Sequence, residues 1–204
     1  MFVRRTTAPV VRDEPTYLHA VMQDIRQKAQ KVRIAIFDVD GVLTDGALYY
    51  SDTGAEIKAF HVRDGQGLKM LQASGVQTAI ITSRQSQAVA LRARDLGIEL
   101  LYQGVSNKLA TCRTLLARLS LDAAAAAYIG DDLVDLPVMK LCGLAATVPE
   151  APIAVRRQAH YVTTARGGHG AAREWCELIM HAQGTLEVQV SGYAGVDPDG
   201  TQPA

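Results

Sequence analysis

The chain lacks the features that mark a secreted or membrane-bound protein. It has three cysteines in 204 residues, and no two of them form a CxxC pair. The wide spacing of Cys112, Cys142 and Cys176 is typical of free, buried thiols rather than of a disulfide framework or a zinc site. Residues 1–15 hold no apolar core of signal-peptide length, and no run approaches the roughly 18 apolar residues of a membrane span. We therefore expect a cytoplasmic protein with no membrane partner.

An excess of charge of either sign is also absent. Lysine and arginine total 21, aspartate and glutamate total 21, and the formal net charge is zero. Without the broad positive field that nucleic-acid-binding proteins usually carry, we expect no nucleic-acid partner. A chain of this length with 48% hydrophobic residues can form one domain with a substantial core. Chemistry on a small molecule becomes the favoured kind of function.

Three segments of different character divide the chain. Residues 1–15 have no clear periodicity and contain Pro9 and Pro15, which predicts a loose N-terminal arm. A single domain is expected over residues 16–184, beginning with a helix at 17–31 whose apolar residues have helical spacing. Residues 185–204 have scattered glycine and proline and no helical period, so we expect a flexible C-terminal tail.

Within the domain, apolar runs alternate with amphipathic segments. The predicted strands are residues 32–39, 75–82, 98–104, 126–132 and 143–148, and the predicted helices are residues 64–74, 86–97, 107–120 and 132–142. This alternation indicates an α/β fold, a doubly wound parallel sheet with helices on both faces. Residues 47–62 break the pattern, because β-rich flanks surround the turn sequence SDTG. They predict a β-hairpin inserted directly after the first strand.

Polar side chains follow the predicted strands at the points where they end. Asp38 and Asp40 follow the first strand, Thr82 ends the second, Lys108 opens the helix after the third, and Asp131 follows the fourth. Ligands of open α/β sheets bind beyond the carboxyl ends of the strands, so we expect these groups to lie together. Clustered carboxylates require a hard cation, and oxygen ligands suit Mg²⁺. The lysine, the hydroxyl and the glycine loop would complete a phosphate cradle.

The two carboxylates of the DVD sequence could divide the work of phosphate transfer. Asp38 could attack phosphorus and form an aspartyl-phosphate, while Asp40 could give a proton to the leaving alcohol and take one from water. Spacing alone also permits a solvated strand end. Asp132 could equally be a helix cap or a functional group, because aspartate is a favoured N-cap residue. Asp135 is better suited to supporting the loop or the outer shell of the metal.

Four motifs, taken together, resemble a known group of enzymes. DVDGVLT after an apolar strand, threonine at the end of the second strand, lysine opening a helix, and GDDLVD after the fourth strand resemble the motifs of the haloacid dehalogenase superfamily of phosphatases. The further segments AFHVRDGQGLKML, LYQGVSNK and ARGGHGAAREW resemble, over residues 31–184, the family of 3-deoxy-D-manno-octulosonate 8-phosphate phosphatases within that superfamily. The last segment could be a glycine-rich turn before a final helix, or it could close a site.

The resemblance implies a fold, a reaction and partners. The fold would be a Rossmann-like domain with no large cap domain, and the enzyme would be a Mg²⁺-dependent phosphoric monoester hydrolase. Its substrate would be a small acidic sugar phosphate used in lipopolysaccharide biosynthesis. It would be a homotetramer in which the hairpins associate and neighbouring chains help to close each site.

The resemblance also implies roles for particular residues. Asp38 would be the nucleophile and a metal ligand, and Asp131 the second metal carboxylate. Asp40 would be the acid/base and would also bind the metal through its backbone carbonyl. Thr82 and Lys108 would hold the phosphoryl group. The residues that would contact substrate are Asp40, His61, Val62, Arg63, Asp64, Gly65, Lys69, Arg84, Arg92 and Lys108.

The sequence is also compatible with other functions. Without a large cap, substrate choice falls to the hairpin and the neighbouring subunits, so a nonulosonate 9-phosphate phosphatase or a sugar phosphatase of broader range is also compatible. A phospho-aspartate receiver also uses acidic residues with a hydroxyl and a lysine, but it lacks the DxDGxLT arrangement and a hairpin after the first strand. An inactive scaffold is less favoured, because Asp38 and Asp40 are both present.

Overall fold

The architecture is a parallel sheet between two layers of helices. The structure is a computed structural model that describes residues 14–194, with side chains described for residues 19–193. Its strands are β1 (Ile34–Phe37), β2 (Tyr49–Tyr50), β3 (Glu56–Ile57), β4 (Gln77–Ile81), β5 (Leu100–Tyr102), β6 (Ala126–Ile129), β7 (Leu144–Thr147) and β8 (Tyr161–Val162). Six of them form one sheet in the order β5-β4-β1-β6-β7-β8, and β2 pairs with β3 in a separate hairpin.

The helices connect and cover these strands. They are α1 (Glu14–Ala29), α2 (Val62–Ala73), α3 (Gln87–Asp95), α4 (Lys108–Arg118), α5 (Leu136–Leu141), α6 (Ile153–Arg156), α7 (Ala171–Gln183) and α8 (Leu186–Ala194). Two short 3-10 helices lie at Ala123–Ala125 and Leu133–Asp135. Across residues 14–194, none of the helices combines the length and the apolar character needed to cross a membrane.

The central strand β1 shows why the sheet is covered on both faces. It is parallel to β4 on one side and to β6 on the other, and all four of its residues are buried. Successive side chains of a strand point to opposite faces. Phe37 accordingly packs in the core under α1, α2, α3 and α7, whereas Ile36 packs in the core under α4, α5 and α6. The predicted α/β fold with a parallel sheet is confirmed.

The main differences from the sequence predictions concern the hairpin, α2, β8 and α1. The hairpin strands span only two residues each, and α2 begins at Val62, inside the segment predicted as hairpin. The edge strand β8 was not predicted, because a two-residue strand carries almost no periodic signal. Helix α1 begins at Glu14, within the predicted arm, and Pro15 is tolerated in a first helical turn.

The segment after α7 also differs from the prediction of a flexible tail from residue 185. It begins with α8, whose Leu186 packs against the core of the domain. A helix that docks through few side chains needs little of the sequence period on which the prediction relied. The arm at residues 1–13 and the tail at residues 195–204 lie outside the described residues.

Candidate active site

The structure brings three of the predicted groups together at the carboxyl edge of the sheet. Asp38 directly follows β1, and Lys108 is the first residue of α4. Lys108 Nζ lies 2.8 Å from Asp38 Oδ1, and both side chains are buried. Asp131, just beyond β6, has a carboxylate oxygen within 4.8 Å of oxygens of Asp38 and Asp135. Thr82 is buried at the end of the neighbouring strand β4.

Asp135 holds the side chains and backbone around this cluster in place through hydrogen bonds. Its Oδ1 accepts hydrogen bonds from Lys108 Nζ at 2.7 Å and from the Tyr128 hydroxyl at 2.6 Å. Its Oδ2 accepts the backbone N–H groups of Asp131 at 3.0 Å and Asp132 at 3.1 Å. With both oxygens committed, Asp135 orients the loop and the lysine and leaves Asp38 and Asp131 available to a ligand. The supporting role expected for Asp135 is the one its contacts describe.

The contacts of Asp132 are those of a helix cap. Its Oδ1 accepts the Leu133 N–H at 2.7 Å, and with Asp135 it forms a capping box on the 3-10 helix Leu133–Asp135. The side chain is exposed and is not part of the cluster formed by Asp38, Asp131 and Asp135. A capping group of this kind stabilises the start of a helix.

The electrostatics of the cluster favour a bound cation. Burial, followed by repulsion from Asp135, raises the pKa of Asp38 to about 6 in spite of Lys108. Burial, followed by repulsion from Asp38, raises the pKa of Asp131 to about 7. Burial by itself lowers the pKa of Lys108, but the attraction of Asp38 and Asp135 raises it overall. The carboxylates thus hold more negative charge than the lysine neutralises.

The residues present fit Mg²⁺. Carboxylate and carbonyl oxygens are the ligands that this hard cation prefers. Gly41 keeps the space beside them open, because a Cβ atom on this residue would lie 2.0 Å from Asp131 Oδ2. Its φ of 91° also belongs to the left-handed region that glycine adopts without strain. The ion would be held by the carboxylates of Asp38 and Asp131 and by the backbone carbonyl of Asp40.

A second group of charges surrounds Asp40. Lys58, which directly follows β3, forms ion pairs with Asp40 Oδ1 and, at 2.7 Å, with Glu56 Oε1. Arg84 Nη2 donates to Glu56 Oε2 at 3.2 Å and to the Tyr50 hydroxyl at 2.9 Å. Arg84 Nε lies 3.9 Å from Asp40 Oδ2. Side chains of the hairpin therefore contact both the predicted acid/base and a predicted substrate cation.

Sequence reasoning named Asp40 and Arg84 but missed Tyr50, Glu56 and Lys58. The sequence held a signal for Glu56 and Lys58, because residues two positions apart in a strand point to the same face. In the structure, Tyr50 is the register partner of Glu56. What that face contacts depends on how the hairpin folds back over the sheet edge. Local sequence does not determine the direction in which the hairpin folds back.

Two further predicted substrate residues meet at the start of α2. Arg92 Nη2 donates to the backbone carbonyl of His61 at 3.4 Å, and its guanidinium carbon lies 5.9 Å from the centre of the Phe60 ring. Gly65 leaves room for this arginine, since a Cβ atom there would lie 2.2 Å from Arg92 Nη2. Arg92 is thus packed against the turn that leads from the hairpin into α2.

The other predicted substrate residues of α2 have different surroundings. Asp64 is buried, and its carboxylate accepts the backbone N–H groups of Gly170 at 3.1 Å and Arg173 at 2.8 Å. It therefore caps the N-terminus of α7. Val62, Arg63 and Lys69 are exposed on α2, and the described contacts do not join them to the carboxylate cluster. Their contacts with substrate stay predictions.

The segment GGHG forms a wall of the site within the same chain. The N–H of Gly168 donates to the Val42 carbonyl at 2.9 Å, and a Cβ atom on Gly167 would lie 1.9 Å from the Gly41 carbonyl oxygen. Only glycine allows this close approach. A cavity of about 160 Å³ lies between this segment and the loop after β1, and Asp131 and His169 are among its lining residues. Of the two roles considered for this segment, its position favours closure of the site.

A parallel sheet that carries Asp38, Thr82, Lys108 and Asp131 at its carboxyl edge defines a haloacid dehalogenase-like hydrolase. A model of the haloacid dehalogenase-like hydrolase family matches residues 98–174. A curated 3-deoxy-D-manno-octulosonate 8-phosphate phosphatase from Yersinia pestis is 48% identical over 167 residues, covering 82% of this chain and 89% of the relative. The chain belongs to the family of 3-deoxy-D-manno-octulosonate 8-phosphate phosphatases, which confirms the resemblance found in its sequence.

Solved structures agree with this assignment. A probable phosphatase of the YrbI family from Pseudomonas syringae is 53% identical, with a TM-score of 0.83, and the match covers 84% of this chain and 98% of that one. A 3-deoxy-D-manno-octulosonate 8-phosphate phosphatase from Moraxella catarrhalis, solved with magnesium, phosphate and the sugar acid KDO, is 42% identical. Its TM-score is also 0.83, and the match covers 84% of this chain and 99% of that one.

Proposed function

We propose that this protein hydrolyses 3-deoxy-D-manno-octulosonate 8-phosphate to 3-deoxy-D-manno-octulosonate and phosphate with Mg²⁺ as cofactor. The observation that carries this proposal is the similarity to the Moraxella catarrhalis enzyme, which is named for that activity and holds magnesium, phosphate and KDO. The buried Asp38–Lys108 pair beside Asp131 supplies the matching groups in this chain. The enzyme is a phosphoric monoester hydrolase.

The first step transfers the phosphoryl group to the protein. A carboxylate oxygen of Asp38 attacks phosphorus, and the bond between phosphorus and the sugar oxygen breaks. Asp40 gives its proton to that oxygen, so the sugar leaves as a neutral alcohol. Lys108 and Thr82 hold the phosphoryl oxygens. Bound Mg²⁺ supplies the positive charge that lets an anionic nucleophile approach an anionic phosphate.

The second step regenerates Asp38. Asp40, now a carboxylate, takes a proton from a water molecule while the water oxygen attacks phosphorus. The bond between phosphorus and the Asp38 oxygen breaks, and inorganic phosphate leaves. Asp40 is then protonated and ready for the next substrate. The same side chain thus serves as acid and then as base, which explains why it lies on the loop beside the nucleophile.

Recognition of the sugar acid would use cations other than Lys108. Arginine offers a planar pair of donors that suits a carboxylate. Among residues 19–193, Arg84 Nε and His61 Nδ1 are buried polar atoms without a hydrogen-bond partner. Buried polar atoms are normally paired, which makes these two candidates for contact with the substrate. Arg92 would act beside His61 at the start of α2.

We further propose that the protein acts as a homotetramer joined through its hairpins. Leu48, Tyr49, Tyr50 and Ile57 are between 45% and 59% exposed on this small element. Clustered exposed apolar side chains mark association surfaces.

The three free cysteines suit a reducing cytoplasm. There the product would enter lipopolysaccharide biosynthesis.

Phosphate release from a panel of esters in the presence of Mg²⁺ tests the proposed substrate. The panel contains 3-deoxy-D-manno-octulosonate 8-phosphate, a nonulosonate 9-phosphate, glucose 6-phosphate and p-nitrophenyl phosphate. We expect kcat/KM for the octulosonate to exceed that for glucose 6-phosphate by about 100-fold or more, since charge-assisted contacts to the carboxylate contribute about 1.5–3 kcal/mol each. Equal values would indicate a phosphatase of broader range. A higher value for the nonulosonate would assign the protein to that substrate instead.

A further inference from the structure

We propose that Lys58 is a positioning residue for the phosphatase reaction, fixing the carboxylate of Asp40 in the orientation needed for proton transfer. The inference rests on the proposed function, because it concerns the residue that handles the proton there. It assigns the hairpin a part in the chemistry in addition to association and substrate choice.

The contacts of Lys58 separate the two oxygens of Asp40. Oδ1 forms an ion pair with Lys58 Nζ, whereas Oδ2 lies 3.9 Å from Arg84 Nε, which is beyond hydrogen-bond distance. One oxygen is therefore held and the other remains available for proton exchange. Because the carboxylate can otherwise rotate about its side-chain bonds, this single contact restricts the direction in which Oδ2 points.

The burial of Lys58 argues against an incidental surface pair. Its side chain is 1% exposed, and that of Asp40 is 20% exposed. A buried ammonium group costs free energy of desolvation that ion pairing often only offsets, so an apolar residue could hold the hairpin equally well. What an apolar residue could not do is orient Asp40. Glu56, the second partner of Lys58, also holds Arg84 at 3.2 Å and so fixes the lysine from its other side.

The consequence of losing this orientation depends on the leaving group. An alkyl phosphate releases a strongly basic alkoxide unless a proton is delivered, whereas p-nitrophenolate leaves readily without one. The ratio kcat/KM covers the steps up to formation of the aspartyl-phosphate, which is the step that includes departure of the leaving group. A misplaced Asp40 should therefore lower kcat/KM for the sugar phosphate much more than for p-nitrophenyl phosphate.

The test compares Lys58→Met with Lys58→Arg on both substrates. For Lys58→Met we expect kcat/KM for the octulosonate phosphate to fall about 30- to 100-fold, and that for p-nitrophenyl phosphate to fall less than about 3-fold. General acid catalysis contributes about 100- to 10,000-fold, and a misplaced Asp40 should lose part of that contribution. For Lys58→Arg we expect kcat/KM for the octulosonate phosphate to keep most of its wild-type value. Lys140→Met, an exposed lysine on α5, is the matched control and should match the wild type on both substrates.

A double-mutant cycle with Asp40→Asn separates positioning from a structural role. If Lys58 acts through Asp40, then Lys58→Met should have little further effect in the Asp40→Asn background. An equal loss on both substrates, or an undiminished loss in that background, overturns the proposal. If Lys58→Met does not fold, the double variant Glu56→Gln/Lys58→Met has one unpaired, partly buried carboxylate fewer and takes its place in both comparisons.

Failure of the proposed substrate would have a different signature. A wild-type enzyme that hydrolyses another alkyl phosphate faster than the octulosonate phosphate contradicts the proposed function. The role of Lys58 would then be tested by measuring kcat/KM for that alkyl phosphate with the same pair of variants.

Discussion

Asp38 and Asp40 lie two residues apart, yet each meets a lysine from a different region of the molecule. Asp38 pairs with Lys108 at the sheet edge, next to a strand that is buried and bonded on both sides. Asp40 pairs with Lys58 from a hairpin whose strands span two residues each. The proposed nucleophile is therefore held beside a buried strand at the centre of the sheet, and the proposed acid/base by a side chain of an inserted hairpin.

The two regions also differ in charge balance. At the sheet edge, Asp38, Asp131 and Asp135 surround Lys108, and the pKa values of Asp38 and Asp131 are raised. At the hairpin, two acids meet two bases, and the hydrogen bond from Lys58, with help from Arg84, lowers the pKa of Glu56. The sheet edge is suited to accept a cation, whereas the hairpin group neutralises itself and is suited to hold side chains in place.

The largest effect should come from removing the nucleophile at the sheet edge. We expect Asp38→Asn to lower kcat by about 10⁴-fold or more, as losses of catalytic nucleophiles do. The fold should persist, because the substitution removes a buried charge that faces Asp135. Phosphate release and the unfolding temperature measure the two outcomes. Asp132→Asn, a change in a neighbouring capping residue, should keep most activity, and Mg²⁺-dependent turnover by Asp38→Asn would refute the nucleophile assignment.

Removing Arg84 should produce a smaller loss that is confined to the acidic substrate. We expect Arg84→Ala to raise KM for the octulosonate phosphate about 10- to 100-fold, since a charge-assisted hydrogen bond contributes about 1.5–3 kcal/mol. For p-nitrophenyl phosphate, which has no carboxylate, KM should change about twofold at most. Arg94→Ala, an exposed arginine of α3, is the control. A parallel loss on both esters would contradict a role in carboxylate recognition.

Adding Mg²⁺ should distinguish the two regions by stability. At 100 times the dissociation constant, a ligand contributes about 2.7 kcal/mol, which raises the unfolding temperature of a chain this long by about 5–10 °C. Asp131→Asn should lose most of this shift, whereas Glu56→Gln should keep it. Thermal unfolding with EDTA and with Mg²⁺ measures the difference, and an equal shift in both variants would place the ion elsewhere.

The size of the Mg²⁺ shift should also depend on pH. The folded-state pKa values of Asp38 and Asp131, about 6 and about 7, lie above the ordinary value of 3.8. The metal-free folded state therefore binds more protons than the unfolded state between pH 4 and 7 and loses stability as pH rises through that window. Mg²⁺ offsets this loss, so its stabilisation should be larger at pH 7.5 than at pH 5. A shift that is the same at both pH values would contradict the raised pKa values.

The smallest effect on the folded chain should come from the outer face of the hairpin. Ile57 is 56% exposed, so Ile57→Asp should change the free energy of unfolding of a single chain by less than about 0.5 kcal/mol. It should nevertheless lower the mass measured by light scattering from four chains to fewer. Ile153→Asp, at an exposed apolar residue on α6, should leave the mass unchanged. A wild-type protein that is monomeric in this measurement would contradict the proposed tetramer.

The parts of the site that were predictable are those carried by strand ends. Asp38, Thr82 and Asp131 could be placed because apolar runs mark strands, and parallel strands bring their carboxyl ends to one edge. Lys108 followed from the start of the next helix. The surroundings of Asp64 could not be predicted in this way, since its partner Gly170 lies 106 residues further along the chain. Residues 186–194 show the same limit, because a helix formed there without a helical period.

By itself, the sequence determined the α/β alternation, the hairpin after β1 and the types of group at the sheet edge, because periodicity and turn residues act over a few positions. Only the tertiary structure decided which acid meets which base. Lys58 reaches Asp40 across 18 positions and Lys108 reaches Asp135 across 27. Ion pairs and hydrogen bonds depend on distances of a few ångströms between side chains, and packing alone sets those distances.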